Sequence, residues 1–245
     1  MKEILKEGKV EENVYFLPDM QIERKLYLDI AKHLTFLGGK WNRGKKGFVF
    51  DRKITLDEIV SYNNDMKKEI QFFETPEKLS DYLVEKAEVK SGDSILEPSA
   101  GRGAIIKSIR KILPEKEIQY CEIDATNMKY LAEIENIENV QDTGNFLEFE
   151  SMTFDKIIAN PPFSKNQDIE HIRHMYSMLR NKGRLVSIAS KHWQLSNNKK
   201  ETAFREFLDE TNASVEEIDA GEFKESGTQI ATVLVTINKQ NGKYT

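Results

Sequence analysis

The stretch that most constrains this chain is a short apolar run that leads directly into two prolines. From Phe154 to Phe163 the sequence reads FDKIIANPPF. The apolar residues before Asn160 are typical of a buried strand of a mostly parallel sheet, and the prolines fix a rigid turn after it. In an open α/β sheet the ligand crevice lies at the carboxyl ends of such strands. We therefore expect this turn to line a binding site.

The residues of the turn indicate what such a site would bind. Asn160 carries an amide oxygen and an NH2 group, Pro161 and Pro162 contribute carbonyl oxygens without donors, and Phe163 offers a flat apolar face. This set suits a planar molecule with an amino group, because two acceptors can hold its hydrogens and a ring can stack on it. The alternative is a strand followed by a tight proline turn with an Asn cap.

Length, charge and cysteine content restrict the class of protein. The 245 residues suffice for one α/β domain and a small second module. No apolar run approaches the ~18–20 residues of a membrane span, and the first residues lack a signal-peptide core, so we expect a cytoplasmic protein without membrane contact. Cys121 is the single cysteine, and the four histidines have no cysteine partners, so no metal site is predicted. The net charge of −5 argues against bulk coating of nucleic acid but permits a local basic patch.

Residues 1–65 are predicted to form a small helix-plus-hairpin module. Apolar spacing predicts a helix from about 21 to 37, and a β-hairpin follows from 40 to 50 with its turn near 43–46. From 40 to 53 there are six basic residues and one acid, a balance of +5. Basic residues beside aromatic ones suit phosphate contacts and base stacking, although the aromatics could instead form a small core. The predicted nucleic-acid contacts here are Lys40, Trp41, Arg43, Lys45 and Lys46.

Residues 66–245 alternate predicted strands and helices, which indicates an α/β fold with a doubly wound, mostly parallel sheet. Thr75 is expected to cap the first helix, and later helices are expected at 168–179, with His171 and His174 partly exposed, and at 201–208 on the surface. Two late strands, at 215–218 and 230–237, are expected to pair antiparallel at one edge. Lys191, His192 and Trp193 follow a predicted strand and should border the crevice, where they are predicted to contact nucleic acid.

A second motif, SILEPSAGRGA from Ser94 to Ala104, predicts a strand, a glycine-containing turn and a helix. Glu97 places a carboxylate in this turn, which repels a pyrophosphate and attracts a cationic or amino group. The next strand ends in acids roughly 20 residues later, at Glu122, the spacing at which a carboxylate reaches ribose hydroxyls. Asn145 and Phe146 follow a third strand, where an adenine ring could sit. The expected ligand has a ribose and an amino end but no phosphates.

Together these motifs resemble those of S-adenosylmethionine (SAM)-dependent N6-adenine DNA methyltransferases. Asn160-Pro161-Pro162-Phe163 is similar to the catalytic tetrapeptide of amino-group methyltransferases, and the stretch from Glu97 to Gly103 is similar to their SAM-binding glycine loop. The similarity covers roughly Phe72 to Ile237, in the family's order of motifs. The hairpin around Gly38-Gly39-Lys40-Trp41-Asn42 resembles, over a shorter stretch, a module that accompanies methyltransferases of phages and mobile elements.

The resemblance implies a Rossmann-like class I methyltransferase with a seven-stranded sheet and SAM as its cofactor. Asn160 and the Pro161 carbonyl would accept the hydrogens of the adenine amino group, and Phe163 would stack on the flipped base. Asn145 stands where the family usually has Asp. The implied cofactor contacts are Phe73, Thr75, Glu97, Pro98, Ala100, Gly101, Gly103, Glu122, Ile123, Asn145, Phe146 and Asn160.

Three functions remain in view at this stage. The first is methylation of adenine in DNA, and the second is the same chemistry on an RNA base or a protein glutamine. The third is a nucleic-acid-binding protein that keeps the fold without turnover, against which the intact tetrapeptide and Glu97 argue. The segment from Lys191 to Asp209 is short for a DNA-recognition region. Either the basic hairpin helps to grip DNA, or a partner subunit supplies sequence specificity.

Overall fold

The computed structural model describes residues 1–61, 74–141, 143–218 and 231–240. The chain divides into two compact units, Met1–Glu69 and Ile70–Thr245. The sequence-based boundary after residue 65, and the predicted cofactor contact Phe73, both lie outside the described residues. Among the described helices, none combines the length and the apolar character needed to cross a bilayer.

The N-terminal unit contains a four-stranded antiparallel sheet in the order β1-β2-β4-β3. The predicted helix and hairpin are both confirmed. Trp41 pairs with Phe48 across the hairpin, and their rings make an edge-to-face contact at 5.2 Å. The elements are α1 (Lys2–Glu7), β1 (Lys9–Glu11), β2 (Val14–Phe16), α2 (Arg24–Phe36), β3 (Lys40–Asn42), β4 (Gly47–Val49) and α3 (Leu56–Ser61).

The two hairpin aromatics belong to different environments. Phe48 is buried in the small core of this unit together with Tyr15 and Leu34. Trp41 is 47% exposed. The small-core interpretation therefore applies to Phe48, while Trp41 remains on the surface among the basic residues.

The C-terminal unit is an α/β domain around a seven-stranded sheet in the order β10-β11-β9-β8-β5-β6-β7. Strands β5 to β9 run parallel, and β11 pairs antiparallel with both β9 and β10. The predicted fold class is thus confirmed, including the antiparallel edge pair. The elements are α4 (Glu77–Ala87), β5 (Ile95–Glu97), α5 (Ala104–Ile112), β6 (Ile118–Tyr120), α6 (Ala125–Leu131), β7 (Ile137–Asn139), β8 (Phe154–Ala159), α7 (Gln167–Ser177), β9 (Leu179–Ser190), α8 (His192–Leu195), α9 (Lys199–Glu210), β10 (Ser214–Ile218) and β11 (Thr232–Asn238).

The strand order fixes where a crevice opens. β5 lies between β6 and β8, and the chain leaves it toward β6 and later returns to its other side through β8. At such a topological switch point the connections diverge, and open α/β sheets bind their ligands at the carboxyl ends of these strands. Glu97 ends β5 and Asn160 directly follows β8, which places the two main sequence motifs at this point.

Three local predictions are corrected. Thr75 does not cap α4, because the cap residue is Pro76 and no side chain caps the helix. His171 is buried rather than partly exposed, and burial lowers its pKa to about 4. Helix α9 is not simply a surface helix, since Glu201, Phe204 and Leu208 are buried along one face. By contrast, Cys121 is a buried free thiol as expected, and burial raises its pKa to about 12.

Candidate active site

Glu97 is the most unusual charged group at the switch point. Its side chain is fully buried at the end of β5, and its Oε2 atom has no hydrogen-bond partner among the described residues. Burial raises the pKa of Glu97 well above its ordinary value, and a hydrogen bond from the backbone of Ile106 opposes this only in part. A buried carboxylate with an unpaired oxygen favours a proton or a cationic group beside it. The methionine amino group of SAM fits this requirement.

The glycine turn after β5 connects Glu97 with the acid of the next strand. The backbone N–H of Gly101 donates to Oε2 of Glu122 at 2.6 Å, and the N–H of Ala100 donates to the carbonyl of Cys121 at 3.0 Å. Gly101 and Gly103 both have left-handed backbones, with φ of 55° and 78°. A Cβ on Gly103 would lie 2.6 Å from Cδ1 of Ile134, so this glycine allows close packing within the domain. Of the two glycines, Gly101 is therefore the one expected to let the backbone approach a ligand closely. It lies beside the buried Pro98 and Ala100.

Glu122 is held by two backbone donors. Besides Gly101, the N–H of Asp124 donates to its Oε1 at 2.7 Å. Burial raises the pKa of Glu122 to about 7, and these two hydrogen bonds lower it only partly. Each carboxylate oxygen has a second lone pair, so ribose hydroxyls can still donate to it. Ile123, which follows Glu122, exposes its side chain where a ring could pack on it.

The predicted adenine contacts, Asn145 and Phe146, are engaged in the local fold. The side chain of Asn145 accepts from the N–H of Leu147 at 3.2 Å and so caps the 3₁₀ turn Phe146–Glu148. Its Nδ2 donates to Glu148 at 2.8 Å. Phe146 is buried, with its ring 4.7 Å from the ring of His174 in an edge-to-face arrangement. Stacking of Phe146 on a cofactor adenine stays a prediction.

Asn160 is oriented by a residue that lies far from it in sequence. Its Nδ2 donates to Oγ1 of the buried Thr75 at 3.0 Å. The amide oxygen is the atom of this side chain that accepts hydrogen bonds, so it is the atom that suits an incoming amino group. Pro161 is buried, whereas Pro162 and Phe163 are partly buried, and Phe163 packs against the domain's second core cluster.

Two further polar contacts tie the segment that follows the Asn160 turn to β9 and α9, and the sequence alone does not predict either. The first links α7 to the end of β9, where Oδ2 of the buried Asp168 accepts from the N–H and the hydroxyl of Ser190 at 2.9 and 2.8 Å. The second joins Asn166 to Glu201 of α9, with an Nδ2 to Oε1 distance of 2.9 Å. These residues are 22 and 35 positions apart, and no local pattern marks such pairs.

The residues after β9 divide between surface and core. Lys191 pairs with Glu217 at 2.8 Å, and the exposed His192 lies 3.5 Å from the carboxylate of Glu201. Trp193 is only 4% exposed, and its ring lies 5.1 Å from that of Phe204. We therefore correct the prediction for Trp193, which belongs to the core. Nucleic-acid contacts of Lys191 and His192 stay predictions.

In the N-terminal unit, the side chains of Lys40, Arg43, Lys45 and Lys46 are exposed. Lys40 lies 3.7 Å from Asp51, a solvent-exposed pair that contributes little to stability. The positive charges of the hairpin therefore lie on its solvent-exposed surface. A role in nucleic-acid binding stays a prediction.

Sequence comparison identifies a family. The family model described as "methyltransferase small domain" matches residues 74–218. This range includes Thr75, the glycine turn, Glu122 and the Asn160 turn. No curated protein sequence matches the chain.

Solved structures share the fold. A type I restriction-modification methyltransferase subunit from Streptococcus thermophilus aligns with a TM-score of 0.56 and 20% identity, over 70% of this chain and 45% of that one. A modification subunit of a type I restriction enzyme from Vibrio vulnificus gives 0.55 and 16%, over 96% and 66%. A protein from Pyrococcus horikoshii described as an RNA methyltransferase gives 0.50 and 16%, over 70% and 88%. The aligned part of this chain spans about half to two thirds of the length of the two restriction-system subunits. At these sequence identities, the similarity shows a shared fold.

The methyltransferase family match confirms SAM, the cofactor expected from the sequence. The unpaired oxygen of Glu97 and the position of Glu122 fit its amino group and its ribose. Among the described residues, no three His, Cys, Asp or Glu side chains are placed to hold a metal ion.

Proposed function

Because the chain belongs to the methyltransferase small domain family, we propose that it transfers the methyl group of SAM to the exocyclic amino nitrogen of adenine in DNA. The observation that carries this proposal is the hydrogen bond between Asn160 and Thr75 at the switch point. It orients an amide at the carboxyl end of β8, next to the strand that ends in the buried Glu97. The site thereby combines an acceptor for an amino group with a carboxylate for a cationic cofactor.

The chemistry of the substrate explains why an amide is suited to the task. The lone pair of the adenine amino nitrogen is delocalised into the ring, which makes it a poor nucleophile. If the Asn160 side-chain oxygen and the Pro161 carbonyl accept its two hydrogens, the nitrogen becomes pyramidal and richer in electrons. Thr75 keeps the amide in position before the substrate arrives, so less reorganisation is needed at the moment of reaction.

The cofactor side of the site holds and aligns the methyl donor. SAM supplies an electrophilic sulfonium methyl group, and Glu97 would bind its amino group while Glu122 accepts from the ribose hydroxyls. Ile123 would pack on the cofactor adenine, and Phe163 would stack on the target base. Direct in-line transfer then depends on positioning, because the tetrapeptide Asn160–Phe163 contains no strong base.

DNA is the preferred substrate for two reasons. A phenylalanine at the fourth position of the tetrapeptide suits stacking on a base, and two of the solved structures with this fold are modification subunits of type I restriction systems. An RNA substrate is the second candidate, because the fold is shared with a protein described as an RNA methyltransferase. A protein glutamine would meet the same two acceptors.

A partner protein that supplies sequence specificity belongs to this proposal. A further solved structure of this fold, with a TM-score of 0.55 and 17% identity, is reported for the complex assembly of a type I restriction-modification system. The segment between β9 and β10 is short, which leaves little room for a recognition domain within this unit. The exposed lysines and arginine of the N-terminal hairpin would add contacts to phosphates.

The test is incubation of the full chain with tritiated SAM and separate pools of unmethylated DNA, RNA and protein, followed by nucleoside and amino-acid analysis. We expect label in N6-methyladenine from DNA. Label only in RNA or in glutamine would replace the proposed substrate, and no label in any pool would contradict the enzymatic function.

The contribution of the hairpin is tested in the same assay by the double substitution Lys45→Glu and Lys46→Glu. We expect this variant to bind DNA more weakly and with a smaller salt dependence, because binding through fewer phosphate contacts releases fewer counterions. Its affinity for SAM should be unchanged. Substitution of Lys2 and Lys6 on α1 by Glu gives the same change in net charge and serves as the control. Equal DNA affinity of both variants would exclude the hairpin from the interface.

A further inference from the structure

Leu195 is exposed in a way that the rest of the domain does not explain. It is 88% exposed, the highest value among the large hydrophobic side chains of the described residues. It ends α8, the single helical turn that directly follows β9. Because β9 runs parallel to β8 and pairs with it, Leu195 lies near the same edge of the sheet as Asn160.

The backbone on both sides of Leu195 is held firmly. The guanidinium of Arg205 donates to the carbonyl of Trp193 and, at 2.7 Å, to the carbonyl of Ser196. The Trp193 ring is buried against Phe204. One arginine of α9 therefore fixes the chain before and after Leu195, and the apolar tip is presented on a rigid turn.

The same segment contacts the turn that follows the Asn160 tetrapeptide. Oε1 of Glu201 accepts from Asn166 at 2.9 Å and from Asn198 at 3.3 Å. Nζ of Lys200 donates to the carbonyl of Lys165 at 3.4 Å. Any molecule whose reactive group reaches Asn160 will therefore pass close to the segment that carries Leu195.

The segment that carries Leu195 is rich in hydrogen-bond donors. Residues 191–200 contain three lysines and no acidic residue. Lys191 and Lys200 pair with Glu217 and Glu170, whose side chains are 78% and 50% exposed. Such exposed ion pairs are weak, so a phosphate can replace either carboxylate. Ser196, Asn197 and Asn198 add neutral donors next to the leucine. Basic and amide groups around one apolar tip suit a DNA backbone on the outside and stacked bases within.

We propose that Leu195 is a wedge that enters duplex DNA beside the target adenine and occupies the space left when that base rotates into the site at Asn160. This rests on the proposed function. A base must unstack before it can reach the tetrapeptide, and an apolar side chain in the gap stabilises the flipped state. Leu195 acts on the duplex, whereas the chemistry stays with Asn160. A single strand has no base pair to break and no gap within a duplex to fill, so it has no need of the wedge.

The experiment compares initial rates of methylation on one unmethylated DNA, used as duplex and after heat denaturation. For Leu195→Ala we expect the duplex rate to fall about tenfold while the single-strand rate changes less than about twofold, because only the duplex has to be opened. Leu195→Met, which keeps an apolar tip, should retain most of the duplex rate. The melting temperature should not change, since the side chain is almost fully exposed.

Ile112→Ala is the matched control. Ile112 is 55% exposed and ends α5, which begins at the carboxyl edge and runs toward the opposite edge of the sheet. Both of its rates should equal those of the unmodified chain. Equal duplex-to-single-strand ratios for Leu195→Ala and the unmodified chain would overturn the wedge and indicate that Leu195 faces a protein partner or water. A parallel fall in both rates would also overturn it, and an unmodified chain inactive on both DNA forms would contradict the proposed function itself.

Discussion

At the carboxyl ends of β5 and β6 the domain carries two buried carboxylates, whereas at the carboxyl end of β8 it carries an amide and proline carbonyls. Glu97 and Glu122 are both buried and have raised pKa values. Asn160 is neutral and is held by the hydroxyl of Thr75. Asp168, an acid near this second half, is fully buried and bonded by Ser190. The proposed ligands differ in the same way, since SAM is cationic and the adenine amino group is neutral.

This difference has a physical consequence for how each half works. Buried carboxylates bind a cation strongly because burial has removed their water, but they also exchange protons with the solvent as the pH changes. Neutral acceptors bind more weakly and do not titrate. Cofactor affinity should therefore depend on charge and pH, whereas the methyl-transfer step should depend on the orientation of hydrogen bonds.

Replacement of Asn160 should have the largest effect on turnover and should separate methyl transfer from cofactor binding most clearly. Asn160→Ala removes the side-chain acceptor, and we expect kcat to fall about 10²–10³-fold or more, as for other oriented acceptors or donors at reacting atoms. SAM affinity, measured by calorimetry, should change little, because Glu97 and Glu122 remain. Persistent turnover in the tritium assay would contradict the assigned role.

Glu97→Gln tests the opposite half. Loss of a charge-assisted hydrogen bond should raise the Kd for SAM about tenfold to a hundredfold. Because its pKa is raised, Glu97 should release a proton when an ammonium group binds beside it. Calorimetry in buffers with different ionisation enthalpies should show this release for the unmodified chain and not for the variant. An unchanged Kd would separate Glu97 from the cofactor.

Thr75→Val is a smaller change within the neutral half. Valine keeps the shape of threonine but removes the acceptor for Asn160, so the amide loses the bond that orients it. We expect kcat to fall about tenfold, the upper end of the usual effect of losing one hydrogen bond. Thr75→Ser should retain activity. Equal activity of the Val and Ser variants would show that this hydrogen bond does not matter for turnover.

The smallest expected effect is a pH dependence caused by Glu122. With a pKa of about 7, Glu122 is mostly protonated at pH 6 and mostly ionised at pH 8. Ribose hydroxyls donate better to the ionised form, so the Kd for SAM should fall about fivefold over this interval. Glu122→Gln should bind SAM more weakly but without that slope. A slope retained in this variant would assign the titration to another group.

The raised pKa of Glu122 also affects the stability of the folded domain. Because the folded-state pKa of Glu122 is raised above its ordinary value of 4.5, its contribution to stability is complete below pH 4.5 and is lost as the pH rises toward 7. Chemical unfolding of the unmodified chain at several pH values should show this decline. Glu122→Gln should reduce it.

The sequence predicted those features that depend on local pattern. The strand that ends in Glu97, the strand that ends just before Asn160, their parallel alignment and the antiparallel edge pair all follow from apolar runs and turn residues. Thr75 shows the limit of this approach. Next to Pro76 it has the local pattern of a helix cap, yet its hydroxyl serves Asn160, 85 residues away. The burial of Trp193 escapes the local pattern for the same reason, because it depends on the contact with Phe204 of α9.

Gly144 limits how this protein can vary. A Cβ at this position would lie 2.1 Å from the backbone oxygen of Glu122, and the residue has a left-handed backbone, with φ of 69°. Any side chain here would displace the acid that Gly101 and Asp124 hold in place. At Gly92, by contrast, an added Cβ meets nothing within 4 Å. Among random variants selected for survival of methyl transfer, position 92 should accumulate many residues, and position 144 should remain glycine in every lineage.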